Sequence, residues 1–123
     1  MANRFLTPQG REIAHHFSAG KGPTVVFLGG FKSDMEGSKA VYLEEWATQQ
    51  GRAYLRFDYS GHGQSSEAFE DGCIGDWFED ACAILATIEG PIVLVGSSMG
   101  GWISLQVARA MPARVVGLSL IHI

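Results

Sequence analysis

The chain has 123 residues, 46% of them hydrophobic and 18% charged, with 16 glycines and a net charge of −4. That length suffices for one modest domain with its own core, and the glycines point to tight turns and close backbone approaches. The acidic balance argues against a nucleic-acid backbone or an anionic membrane surface as partner, and no apolar run reaches the roughly 20 residues of a membrane helix.

Short apolar runs alternate along the chain with longer helical patterns. The start, MANRFLTPQGREIAHHF, lacks the charged-then-apolar form of a secretory signal. Within it RFLT and REIAHHF, split by PQG, predict an opening hairpin. Neighbouring strand residues point opposite ways, so His15 and His16 cannot jointly bind a metal and are expected to face solvent. PTVVFLGG (Pro23–Gly30) is continuously apolar before its glycines, as a strand covered on both faces should be.

SKAVYLEEWATQQG predicts a helix capped by Ser38 and ended by Gly51, with Val41, Leu43, Trp46 and Ala47 on its apolar face. RAYLRFDY is a second buried strand. CIGDWFEDACAILATIEG is a second helix, followed by Gly90. Glu70, Asp71, Asp76, Glu79 and Asp80 resemble a carboxylate cluster, but Asp76, Glu79 and Asp80 read better as a polar helix side and its dipole-favoured first turn. Trp46, Trp77 and Trp102 fall on helices, where core or rim packing is the expectation. Cys73 and Cys82 lack metal or redox spacing and read as idle or buried thiols of a reducing compartment, so a cytosolic setting is expected.

PIVLVG is a third strand, MGGWISLQVARAM a third helix stopped by Pro112, and RVVGLSLI a fourth strand. This alternation predicts βαβ units, a mainly parallel sheet and right-handed crossovers.

The third strand and its helix enclose VGSSMGG, where Gly96-Ser97-Ser98-Met99-Gly100 matches G-x-S-x-G, the nucleophile elbow. The elbow holds its serine in a strained conformation, and the residues two before and two after come too close for side chains. Ser98 has Gly96 and Gly100 at those positions; Ser97 has Val95 and Met99. Ser98 is therefore the candidate nucleophile. The turn aims its hydroxyl at a helix N-terminus, where free N–H groups favour an oxyanion. The Met99 N–H is the expected first donor, and the Phe31 N–H the second, brought in by a loop that Gly29 and Gly30 allow to approach. The glycine loops fit neither a dinucleotide fingerprint nor a P-loop.

On these residues the sequence resembles an α/β hydrolase over nearly its whole length. FDYSGHGQSS resembles the family's D-x-x-G-x-G-x-S loop. GGFKSDMEGSKA, RFDYSGHGQSS and GSSMGGW together resemble the branch of palmitoyl-protein thioesterases and acyl-glucuronide esterases, bacterial homologues included. The resemblance implies a small-molecule ester or thioester substrate, an acyl-enzyme on Ser98, and no cofactor or metal. It also implies the order serine, acid, histidine, which makes Asp58 a loop brace and His62 a turn residue, not triad members. Residues 101–123 hold no aspartate or glutamate and one histidine, His122. The chain is accordingly expected to be the N-terminal portion (1–117) of one α/β-hydrolase domain, lacking the acid and base and inactive by itself. The closing LSLIHI (Leu118–Ile123) equals the translated end of a transposase-based sequencing adapter, so residues 118–123 are expected to be adapter-derived and His122 no base. The alternatives are a non-catalytic binding protein on the same fold, or acyl transfer on the same scaffold.

Overall fold

A computed structural model describes residues 2–121; Met1, Ile123 and His122, the histidine set aside above, lie outside the described residues. The opening segments form the antiparallel hairpin of β1 (Asn3–Leu6) and β2 (Glu12–Ser18). Three strands predicted from continuous apolar runs follow as β3 (Lys21–Leu28), β4 (Arg52–Phe57) and β5 (Ile92–Ser97), and β6 (Val115–Ile121) closes the set. They make one sheet in the order β1-β2-β4-β3-β5-β6, antiparallel up to the β2–β4 pair and parallel from β4 onward.

The connections decide where a ligand can sit. From β3 the chain crosses through α1 (Ser38–Gln49) to β4 on one side. From β4 it returns through α2 (Ile74–Leu85) to β5 on the other side of β3, and α3 (Met99–Ala110) then leads to β6. Strand order thus reverses between β3 and β5, and their carboxyl ends border the crevice where open α/β sheets bind ligands. Those ends are Gly29-Gly30-Phe31 and Ser97-Ser98.

The core has two unequal parts. Val26, Leu28, Leu55, Leu94 and Phe57 pack with Ala81, Ile84 and Leu85 of α2 and Ile103 and Val107 of α3. The other face is smaller, with Val25, Phe27 and Tyr54 against Ala40 and Ala47 of α1.

Helix ends differ from the sequence expectation. Ser38 is the first helical residue of α1; the cap is Gly37, extended at φ −63° and ψ 158°, with no side-chain bond. Trp46 is 39% exposed, because α1 is seated close to the sheet through two alanines, which leaves its bulky residues at the margin. Gly51 does follow the helix, at φ +69°. Helix α2 ends at Leu85, short of Gly90, because Arg114 binds the carbonyls that follow: its guanidinium donates to Leu85 O at 2.8 Å, Ile88 O at 2.8 Å and Gly90 O at 2.9 Å. The 3-10 turn Phe69–Asp71 is an element the sequence did not announce.

Candidate active site

Ser98 stands between the end of β5 and the start of α3 at φ 56° and ψ −118°, a region non-glycine residues rarely enter. Such strain costs about 1–3 kcal/mol and persists only where the surroundings over-determine it. Here they do. The Ser98 N–H donates to Ile121 O at 3.0 Å, and Ser98 O accepts from Gly101 N at 2.9 Å. A Cβ at Gly96 would stand 2.5 Å from Gly100 O and 2.6 Å from Ser104 Oγ, and one at Gly100 would overlap Leu28 O. Both elbow glycines are therefore required by close backbone approach. Ser98 is exposed, whereas Ser97 is buried at the strand end.

The loop after β3 lies against this elbow. A Cβ at Gly30 would come within 3.5 Å of both Ser98 Cβ and Ser97 O. The loop turns tightly, with Ser33 N donating to Gly30 O at 3.1 Å and Lys32 held at φ 60°. Phe31 therefore follows a glycine in contact with the serine, while Met99 opens α3 with an N–H that has no partner inside the helix.

The segment after β4 braces the crevice. Asp58 is buried and accepts from Met35 N at 2.7 Å and Gln64 N at 2.9 Å, tying the loop after β3 to the loop after β4. Burial pushes its carboxyl up from the usual range, and the Gln64 and Met35 amides pull it back. Gly63, at φ +49°, has no room for a Cβ because the Asp58 carboxylate fills that space. His62 is buried, with Nδ1 3.1 Å from Ser60 O and Nε2 enclosed without a hydrogen-bond partner. Its ring thus makes no hydrogen bond to Ser98. Among the other described histidines, His15 Nδ1 lies 3.3 Å from Ile13 O and His16 Nε2 3.9 Å from Glu36. Both are half-buried, less open to solvent than the sequence suggested, since β2 is an inner strand between β1 and β4.

Asp80 corrects the sequence reading most sharply. It is not on the solvated side of α2: it is fully buried, and accepts from Ser60 N at 2.8 Å, Ser60 Oγ at 2.7 Å and Arg11 Nε at 2.8 Å. Arg11 also pairs with Glu79 at 2.9 Å. Burial works against the Arg11 charge, but Asp80 and Glu79 outweigh it and hold the guanidinium above its ordinary range. Removing one partner of a buried pair costs about 3–5 kcal/mol. Asp80→Ala should therefore lower the unfolding free energy by about 3 kcal/mol in urea titration of the protein carrying this chain. A loss below about 1 kcal/mol, the value of a surface pair, would show that the bridge is not needed. Glu70 and Asp71 lie exposed on the 3-10 turn. Among the described residues no group of three or more His, Cys, Asp or Glu could hold a metal ion.

A strand–elbow–helix with an exposed strained serine and a glycine loop against it fits acyl transfer to a hydroxyl. Residues 25–122 match the family model described as the alpha/beta hydrolase family. The chain belongs to that family. This alpha/beta hydrolase chain is 43% identical over 112 residues to the mitochondrial palmitoyl-protein thioesterase ABHD10 of Rattus norvegicus, covering 90% of the chain and 38% of that protein. It is 32% identical over 106 residues to the pimeloyl-acyl-carrier-protein methyl ester esterase of Methylococcus capsulatus, covering 85% and 38%. Mouse alpha/beta hydrolase domain-containing protein 10 superposes with a TM-score of 0.94 at 38% identity, over 98% of this chain and 48% of that one. A candidate hydrolase of Agrobacterium vitis gives 0.91 at 41% identity, over 98% and 51%. The chain thus spans about two fifths of these curated relatives and about half of the solved structures. The rat relative is named mitochondrial, unlike the cytosolic setting expected from the sequence. No helix among the described residues is long and apolar enough to cross a membrane.

Proposed function

We propose that the protein carrying this alpha/beta hydrolase chain is a serine esterase or thioesterase with Ser98 as nucleophile. The observation that carries the reading is the exposed Ser98 at φ 56°, pinned by Gly96 and Gly100 and set against Gly30. Ser98 Oγ bonds to the acyl carbonyl carbon while its proton passes to a base. The carbonyl oxygen takes the negative charge, and the Met99 and Phe31 N–H groups stabilise it. The alcohol or thiol leaves with the proton, and water then cleaves the acyl-enzyme and restores Ser98.

None of the three described histidines bonds to Ser98, so the base and its acid partner belong, in this proposal, outside residues 2–121. The names of the rat and Methylococcus relatives support an acyl ester or thioester as substrate class. For compartment we keep the cytosol. The free thiols Cys73 and Cys82 fit it and equally fit a mitochondrial matrix, and fractionation of tagged protein decides between them.

The test is covalent. The complete protein carrying this chain is treated with a fluorophosphonate, digested and analysed by mass spectrometry. The phosphonyl group is expected on Ser98, with none on Ser97. Labelling elsewhere, or none under conditions where the protein is folded, overturns the reading.

A further inference from the structure

The loop that carries Phe31 is strained at Lys32 and its Phe31 side chain is 55% exposed, yet it lies against a group of aromatic rings from three other segments. The Phe31 ring meets Phe69 edge-on at 5.0 Å and Trp77 at 5.9 Å. Phe69 and Trp77 stack at 5.7 Å, Lys32 Nζ lies 5.0 Å over the Phe69 ring, and the His62 ring fills the space behind at 5.3 Å and 4.9 Å. Tyr59, packed edge-on against that histidine at 5.6 Å, donates its O–H to Gly29 O at 3.0 Å. Backbone, side chain and charge of the Gly29–Lys32 loop are therefore each held from outside it.

We propose that Tyr59, Phe69 and Trp77 are positioning residues that fix the Phe31 amide where the oxyanion forms, the Tyr59 O–H…Gly29 O bond and the Phe31–Phe69–Trp77 ring contacts acting as a clamp on the Gly29–Lys32 loop. The reasoning is mechanical. A residue at φ 60° relaxes unless its surroundings over-determine it. The loop's internal bond, Ser33 N to Gly30 O, closes the turn but does not anchor it to the sheet. Anchoring comes from Tyr59 at its start and from the rings at its tip. Gly61, at φ +73°, lets the Phe69 segment close on the loop after β4, since a Cβ there would stand 2.8 Å from Phe69 Cα. The glycine of the G-x-G pair thus serves the clamp, while Gly63 serves Asp58.

The inference rests on the proposed role of Phe31 as oxyanion donor, and two readouts keep them apart. In the complete protein, Tyr59→Phe removes one hydroxyl and keeps the ring, and Phe69→Leu removes the aromatic contact. Exchange of the Ser33 amide, which donates to Gly30 O at 3.1 Å within the loop, read by NMR without substrate, should accelerate about tenfold in both while the β5 amides stay unchanged. Turnover of an oxygen ester should fall roughly tenfold to a hundredfold with KM within about twofold, because donor misplacement acts on the transition state. The preference for that ester over its thiono counterpart, whose larger sulfur fits an ordered donor pair poorly, should shrink in parallel, and Phe69→Tyr should restore it. Unchanged loop exchange in both variants, or an unchanged oxygen-to-sulfur preference, overturns the clamp. Full turnover in Ser98→Ala would strike the hydrolase reading alone, since amide exchange is read without chemistry.

Discussion

Ser98→Ala in the complete protein should lower ester turnover roughly a millionfold, the scale on which a well-studied serine protease responds to loss of its nucleophile. Ser97→Ala should stay within about tenfold, because a buried hydroxyl at a strand end supplies neither attack nor charge stabilisation. The contrast follows from two adjacent residues in different backbone states. Ser97 ends β5 in extended geometry between Val95 and Met99, whereas Ser98 is turned out at φ 56° with glycine two before and two after. The check is kcat for a chromogenic acyl ester with each variant, purified to the same folded fraction. Retention of more than about one thousandth of turnover in Ser98→Ala would sink the covalent mechanism, since the residual rate over water from binding and the oxyanion hole alone is far smaller than that. A loss confined to Ser97→Ala would move the nucleophile by one residue. Unaltered ligand affinity with no turnover in the parent protein would instead favour the binding-protein alternative.

Local patterns carried the parts of this fold that local physics determines. PTVVFLGG is legible as an inner strand because both its faces are covered, by α1 on one side and by α2 and α3 on the other, and PIVLVG because its Ile92 and Leu94 enter the larger core. The elbow is legible because its glycines stand two before and two after the serine in one short motif, although only Gly96 answers local contacts, against Gly100 and Ser104, while Gly100 answers the distant Leu28 backbone. Asp80 is not legible in this way. Its place on α2 gives a helical polar face, and only Arg11, 69 positions earlier, together with Ser60 makes it a buried acceptor. Tyr59 and Phe69 are not legible for the same reason: Tyr59 stands at the end of the RAYLRFDY strand, nothing local marks Phe69, and their convergence on Gly29 and Phe31 is a tertiary fact. The available signal was the pair Gly61 and Gly63 in GHG, which announces close approach without naming what approaches. Trp46 takes the rim rather than the core place that its helix position left open, since α1 is seated through Ala40 and Ala47.

Gly100→Ala should be among the most damaging single-methyl additions in the chain, costing about 3–5 kcal/mol of stability and at least about a hundredfold in turnover. The added Cβ would overlap Leu28 O and stand 2.5 Å from Leu28 C and 2.6 Å from Gly29 O, all backbone atoms with no rotamer through which to escape. Relief requires α3 to slide away from β3. That motion carries Met99 N and Ser98 with it, because Gly100 is the second residue of α3 and Ser98 its cap. Stability and catalysis should therefore fall together. Gly51→Ala supplies the contrast. Its φ of +69° strains an alanine, but nothing lies within 4 Å of the new Cβ, so about 1 kcal/mol is expected with no loss of turnover. Urea midpoints and kcat for the two variants decide the matter. If Gly100→Ala costs no more than Gly51→Ala, α3 does not bear on the β3 carboxyl end as described, and the contact that sets Ser98 beside the Gly29-Gly30-Phe31 loop is lost with it. If stability falls while the surviving folded fraction keeps full kcat, helix seating and nucleophile geometry are separable, and the elbow is held chiefly by the bonds from Ser98 N to Ile121 O and from Gly101 N to Ser98 O.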